Sequence, residues 1–308
     1  LRVAYGRVPR DSFVVPIVDA HVHLYPPDLN RDPIGWAASH SETHWAILCT
    51  RRRKDGRGVQ TFPSIDELLH SMDAAGISQA VLQGWYWQWP ETCEWQNRFY
   101  AECVRAHPDR LSAFATFNPA AGRDATLAEI HRAHDDGLIG LGELSPHSQG
   151  YDVGDPIFAE ALELAADLRL PVNLHVTDAD SGDYPGKVLT PARDFIWLAR
   201  QFPRTTFILS HWGALLPMHD EEAENLINVF YDTSASPLLY DATIWRRFLE
   251  IVPEERVLFG SDYPLNLYPK LDIEPSLLRL VEEAKASGID SDIFGANARR
   301  LLRLPKRA

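Results

Sequence analysis

Ile17-Val18-Asp19-Ala20-His21-Val22-His23-Leu24 is the stretch on which the reading of this chain turns. It is short, β-branched and apolar enough to be a buried strand, yet it carries an aspartate and two histidines. Side chains at i and i+2 of a strand project to the same side, so His21 and His23 can reach one ion at ~2.0–2.1 Å.

Seven more runs of this kind follow: Gln79–Gly84, Leu111–Phe117, Ile139–Leu144, Pro171–Val176, Thr206–His211, Val229–Thr233 and Val257–Asp262. Helical patterns lie between them. Ser64-Ile65-Asp66-Glu67 is a capping box ahead of an apolar stripe that Gly76 closes, and Asp155-Pro156 places a cap and an N1 proline before Phe158 and Leu162. Further stripes run through Phe195–Ala199, Ile244–Val252 and Leu277–Val281. The strand ends Gly84, Phe117, Glu143, His175, His211, Asp232 and Asp262 follow at intervals of 33, 26, 32, 36, 21 and 30 residues (differences of their numbers).

Eight strands, each followed by a helix at about one unit per interval, predict an α/β fold of the (β/α)₈ TIM-barrel type. A doubly wound open sheet is the main alternative, and no G-x-G-x-x-G follows the first strand to support it. The one long interval, 61 residues from His23 to Gly84, contains a loop from Tyr25 to Pro63 rich in prolines, with two tryptophans and the basic run Arg51-Arg52-Arg53-Lys54. No linker, repeat or low-complexity tract divides the chain, so residues 1–308 read as a single domain with an elaborated loop after strand 1.

Composition narrows the function. The 308 residues are 45% hydrophobic and 24% charged, with a formal net charge of −13. Such an acidic balance disfavours non-specific nucleic-acid binding. The three cysteines, Cys49, Cys93 and Cys103, form no C-x-x-C pair, which argues against a disulfide framework or a cysteine zinc site and places the chain in a reducing, cytoplasmic compartment. No apolar run is long enough for a membrane span. Leu1 to Pro16 lacks the apolar core of a signal peptide, and since the chain does not open on Met, further residues are expected ahead of Leu1. The expected partner is a small-molecule substrate, with homo-oligomerisation left open.

In a barrel the strand ends meet on one face, where active sites form. Five strands bring His21, His23, Glu143, His175, His211 and Asp262 there, and polar groups so placed are costly as mere core. Trp85-Tyr86-Trp87-Gln88-Trp89 follows strand 2 onto the same face, where Trp85 and Trp87 could wall a pocket or pack on the first loop. Trp212, beside His211, is a further substrate-binding candidate. His131 and His134 read as the solvent face of a helix. His40 and His44 lie in the first loop within reach of a substrate. The Arg51–Lys54 run reads as a solvated face that could attract a carboxylate.

Together, Val18-Asp19-Ala20-His21-Val22-His23, Asn173-Leu174-His175, Leu209-Ser210-His211-Trp212-Gly213, Phe259-Gly260-Ser261-Asp262-Tyr263-Pro264 and the closing Asn297-Ala298-Arg299-Arg300-Leu301-Leu302 resemble the amidohydrolase superfamily, most closely its amidohydrolase-related branch of decarboxylases, hydratases and lactonases. The resemblance implies a divalent metal, Zn²⁺ foremost with Mn²⁺ as the variant, and assigns His21, His23, His175 and Asp262 as ligands. Three imidazoles and a carboxylate suit zinc with a position left for water. None of the five lysines ends strand 4, where many superfamily members carry a metal-bridging lysine. Glu143 stands there, in a Gly140-Leu141-Gly142-Glu143-Leu144 context similar to TatD-type nucleases, so one or two ions are expected, with Glu143 as a further ligand or as a carboxylate facing substrate.

The main expectation is therefore a hydrolase. A metal-activated water attacks a small ester, lactone, amide or related carbon–carbon bond, Asp262 takes the proton, and His211 steers water or the oxyanion. Two alternatives are a non-oxidative, metal-dependent decarboxylase of a small carboxylic acid, aromatic or otherwise, and a TatD-type nuclease. The latter needs a cationic path for phosphates, against which the net charge argues.

Overall fold

The computed structural model describes residues 16–304 apart from 273, 290 and 291, so the leader reading of the first fifteen residues lies outside the described residues. Eight parallel strands lie side by side in chain order: β1 Ile17–Val22, β2 Ile77–Leu82, β3 Leu111–Ala115, β4 Gly140–Leu144, β5 Val172–Leu174, β6 Phe207–Leu209, β7 Val229–Asp232 and β8 Val257–Leu258. The seam between the last and first strands is bridged by Ala20 N donating to Phe259 O (2.8 Å), Asp262 N to His21 O (2.8 Å) and His23 N to Tyr263 O (2.7 Å). This is the expected (β/α)₈ TIM barrel. β1, β2 and β4 are buried along their whole length, so they show no two-residue alternation of buried and exposed positions.

The ladders are shorter than the apolar runs. β5 stops at Leu174, β6 at Leu209 and β8 at Leu258, so His175, His211 and Asp262 lie just past their strands rather than on them. His211 (φ 58°) and Asp262 (φ 67°) have left-handed backbone, which no strand accommodates. Each side chain is thus aimed by the turn that leaves the barrel.

Helix ends follow local chemistry. The helix Ile65–Ala75 has the full Ser64/Glu67 capping box and ends on Gly76 at φ 69°. Asp155 accepts from the amides of Ile157 and Phe158 at the start of Pro156–Leu168. The stretch expected as an elaborated loop is instead largely helical. It folds into Pro27–Arg31, Pro33–His40 and Thr43–Cys49, because its prolines occupy first-turn positions and Asp32 caps the second helix through Gly35 N (3.0 Å).

Trp36 and Trp45 on those helices, with Tyr25 just ahead of them, pack against Trp85, Tyr86 and Trp87, forming an aromatic second core over the rim of the barrel. The buried Glu42 joins the two loops by accepting from the amides of Gln88 (3.0 Å) and Trp89 (3.3 Å). Cys49, Cys93 and Cys103 are buried and free. Among the described residues no helix is long and apolar enough to cross a membrane.

Candidate metal centre

His21 and His23 leave β1 with their Nε2 atoms 3.2 Å apart. Asp262 Oδ1 lies 3.9 Å from His21 Nε2 and 3.4 Å from His23 Nε2. Glu143 Oε2 lies 3.8 and 3.6 Å from the same two nitrogens. A tetrahedral ion with bonds of ~2.1 Å spaces its ligands ~3.4 Å apart, which is the scale of these separations. The second oxygen, Glu143 Oε1, lies 2.9 Å from His175 Nδ1 and 3.7 Å from His211 Nε2. His175 Nδ1 and His211 Nε2 are 3.2 Å apart. All six expected residues therefore converge, but His175 joins His211 and Glu143 rather than the His21–His23 pair.

Each imidazole commits its other nitrogen elsewhere. His21 Nδ1–H donates to Asp232 Oδ2 (2.9 Å) and His23 Nδ1–H to the carbonyl of Gln83 (3.0 Å). His211 Nδ1–H donates to Ser234 Oγ (2.9 Å), whose hydroxyl in turn donates to Asp232 Oδ1. His175 Nε2 has Thr177 Oγ1 at 3.2 Å. Acceptors of this kind fix the tautomer and leave the opposite nitrogen as a lone pair, the arrangement metal-binding histidines use.

Charge points the same way. Glu143, Asp232 and Asp262 are buried carboxylates within one cluster. Burial penalises the Glu143 carboxylate, but His175, His21 and His23 outweigh it and hold the group well below its usual range. Burial opposes the imidazolium of His21 too, and Asp232, with Glu143 and Asp262, nonetheless raises it to about 10. His211 is lowered by burial, which preserves its neutral form. The cluster calls for cationic charge where the lone pairs converge, and a divalent ion fits that demand.

Asp232 is a residue whose role the sequence left unassigned. It ends β7, is fully buried, and gathers His21 Nδ1, Asn173 Nδ2 (3.0 Å), Ser234 N (3.0 Å) and His211 N (3.3 Å). Its place in the strand-end register was the available clue. Asp232→Asn keeps the shape but turns an acceptor into a mixed donor–acceptor, freeing the His21 tautomer. Metal affinity measured by competition with a chelator should fall ~10–100-fold. An unchanged affinity would show that His21 is oriented without it.

The donors open into a cavity of about 350 Å³, whose wall includes His23, Glu143, His175, His211 and Asp262. Trp85 and Tyr86 line it, stacked on each other with centroids 4.4 Å apart, and Tyr86 reaches His175 at 5.0 Å. Trp87 faces the other way, into the aromatic core. Trp212 is also fully buried, packed edge-on against Trp245, with Nε1–H donating to Ser236 Oγ (3.0 Å). His44 lines the cavity and donates to Gly186 O (2.9 Å), whereas His40 stacks on Trp36 outside it.

The basic run divides. Arg51 and Arg53 line the cavity, while Arg52 and Lys54 are exposed. The segment is extended, with Arg52 bridged to Gly58, so alternate side chains face opposite ways.

Residues 18–304 match the amidohydrolase family, designated Amidohydro_2. The chain belongs to that family. Amidohydrolases of this group are metal-dependent enzymes, and the donor set above is the place this one would hold its ion. No curated protein matches the sequence significantly.

Several solved structures share the amidohydrolase barrel. A 2,6-dihydroxybenzoate decarboxylase complexed with 2,6-dihydroxybenzoate is 21% identical, with a TM-score of 0.63 over 94% of this chain and 100% of that one. The 5-carboxyvanillate decarboxylase of Novosphingobium aromaticivorans, complexed with manganese and 4-hydroxy-3-methoxy-5-nitrobenzoic acid, is 16% identical, with a TM-score of 0.71 over 94% and 96%. The IDCase of Metarhizium anisopliae is 20% identical, with a TM-score of 0.67 over 95% and 98%. At these identities the likeness is one of fold.

Proposed function

We propose that this amidohydrolase is a non-oxidative decarboxylase of a small aromatic carboxylic acid. The observation that carries the reading is the pairing of two arginines with an aromatic wall in the cavity of the metal donors. Arg51 Nη1 donates to the carbonyl of Leu48, with its guanidinium over the Tyr184 ring (4.9 Å), Arg53 Nη2 donates to the carbonyl of Asn266, and among the described residues neither forms an ion pair with a carboxylate. Arg53 Nε is buried without a partner. Cations without a carboxylate partner beside a stacked Trp85–Tyr86 face suit a planar, anionic ligand. The volume lies near the lower end of the ~300–1,000 Å³ range of ligand cavities, which favours a small one. The decarboxylases that share the fold, bound to benzoic acids, lend support at the level of substrate class.

In this reading Trp85 and Tyr86 hold the ring and the arginines balance its charge. A divalent ion, Zn²⁺ or Mn²⁺, supplies Lewis-acid polarisation of the substrate oxygens when bound. The carbon–carboxylate bond breaks, its electron pair stays on the ring carbon, CO₂ leaves, and that carbon takes a proton. Asp262 and His211, with Oδ2 and Nδ1 3.8 Å apart, are the groups placed to hold that proton. The hydrolytic reaction expected from sequence uses the same residues but consumes water, and neither the aromatic wall nor the arginines without a carboxylate partner call for it.

The test is a panel of hydroxybenzoic acids beside lactones and esters, with metal-loaded protein in D₂O. CO₂ release with one deuterium placed on the carbon that lost it is expected. Turnover of a lactone or ester alone would overturn the reading. Arg51→Leu and Arg53→Leu should each raise KM ~10–100-fold for the acid, the scale of one charge-assisted hydrogen bond, with kcat changed less. Unchanged KM in both would remove the arginines from substrate binding.

A further inference from the structure

We propose that Tyr184 is a positioning residue for substrate charge: its ring clamps Arg51 so that the guanidinium faces the carboxylate of an acid in the cavity. The proposal rests on the aromatic-acid reading above and extends it to a loop that reading does not use. Both residues line the cavity, and the Arg51 guanidinium stands 4.9 Å from the centre of the Tyr184 ring.

Arg51 needs such a support. Its side chain is long and flexible, and among the described residues its one hydrogen bond runs from Nη1 back to Leu48 O (2.7 Å). A bond at one tip leaves the guanidinium plane free to swing. A ring beneath the plane holds it by its face and leaves the N–H edge open, and that edge is where a carboxylate is bound. An ion pair within the protein would have used the edge instead.

Tyr184 is itself held in place. It lies in the stretch between β5 and the helix Ala192–Gln201, which forms neither helix nor strand. Thr177 N donates to Thr190 Oγ1 (2.8 Å) and closes the neck of this loop. Tyr240 OH donates to Asp178 Oδ2 (2.7 Å), and Lys187 Nζ donates across the loop to Ser181 O (2.6 Å). The far edge rests on the helix Thr43–Cys49, which leads into Arg51. There His44 Nε2–H donates to Gly186 O (2.9 Å), and a Cβ on Gly186 would come within 3.0 Å of Ile47 and Leu48. Among the described residues the Tyr184 hydroxyl has no hydrogen-bond partner, so the contact with Arg51 belongs to the ring.

The test uses benzoate and its uncharged analogue benzamide, titrated calorimetrically into Mn²⁺-loaded protein. Tyr184→Leu should weaken benzoate ~3–30-fold and benzamide less than ~2-fold, because only the anion uses Arg51. Tyr184→Phe keeps the ring and should stay within ~2-fold of wild type for both. In protein already carrying Arg51→Leu, Tyr184→Leu should cost benzoate less than ~2-fold more, as expected of two residues acting through one contact. Equal weakening of benzoate and benzamide, additive losses in the double variant, or a Phe variant as weak as Leu would each overturn the proposal. Tyr184→Met serves as the ring-less variant if Leu does not fold, with the same expected result. Unchanged benzoate binding in Tyr184→Leu protein, beside CO₂ release from hydroxybenzoic acids, would remove the clamp and leave the decarboxylase reading standing. A charge-selective loss in protein that releases no CO₂ would do the reverse, and wild-type protein that binds no benzoate would overturn both.

Discussion

Asp262→Asn should lower turnover by ~10²-fold or more in protein whose metal content is measured in the same sample. Asp262 is the carboxylate placed both to meet an ion, with Oδ1 toward His21 and His23, and to exchange a proton, with Oδ2 toward His211. Its left-handed backbone makes this substitution cleaner than most. Asn tolerates φ of 67° as Asp does, and the amide bond to His21 O does not involve the side chain. The exchange therefore removes charge and basicity while sparing the turn. Loss of turnover at full metal content would assign the effect to proton transfer, and loss of metal would assign it to ligation. A fully metallated variant with near-normal turnover would show that Asp262 carries no proton in the reaction.

Replacing His21 and His23 together by alanine should abolish activity and empty the site they face. Both are buried, and both present Nε2 to the same point. Metal analysis should show loss of the ion that the pair holds. The substitution also strips the buried Asp232 of one donor while Asn173 Nδ2 still reaches the same oxygen (3.0 Å), so thermal unfolding of the metal-free proteins should be compared alongside. His131→Ala, on an exposed helix face, should change neither metal content nor activity. Wild-type metal content in the double variant would move the centre elsewhere.

Much of the architecture was legible along the chain because it depends on near neighbours. Buried parallel strands need short apolar runs, helices need caps within three residues, and both appear locally at Ser64, Asp155 and the eight runs. The pairing of His21 with His23 was legible for the same reason, since strand geometry puts i and i+2 on one side. The helices after β1 were less so, because their aromatic side chains find partners only in Trp85 and Trp87 of another loop.

The division of labour inside the site came from the tertiary structure alone. That Glu143 stands between two histidine pairs depends on β4 meeting β1, β5 and β6 at one point. That Asp232 orients His21 is a contact between residues 211 positions apart. Arg51 and Arg53 turn inward, and Trp85 rather than Trp87 meets the cavity, because each loop is packed against others that no local pattern specifies. Strand and helix periodicity set which residues can reach the barrel's mouth. Closure of β8 onto β1, and the left-handed turns at His211 and Asp262, decide which atoms meet there, because only closure brings distant side chains within bonding distance.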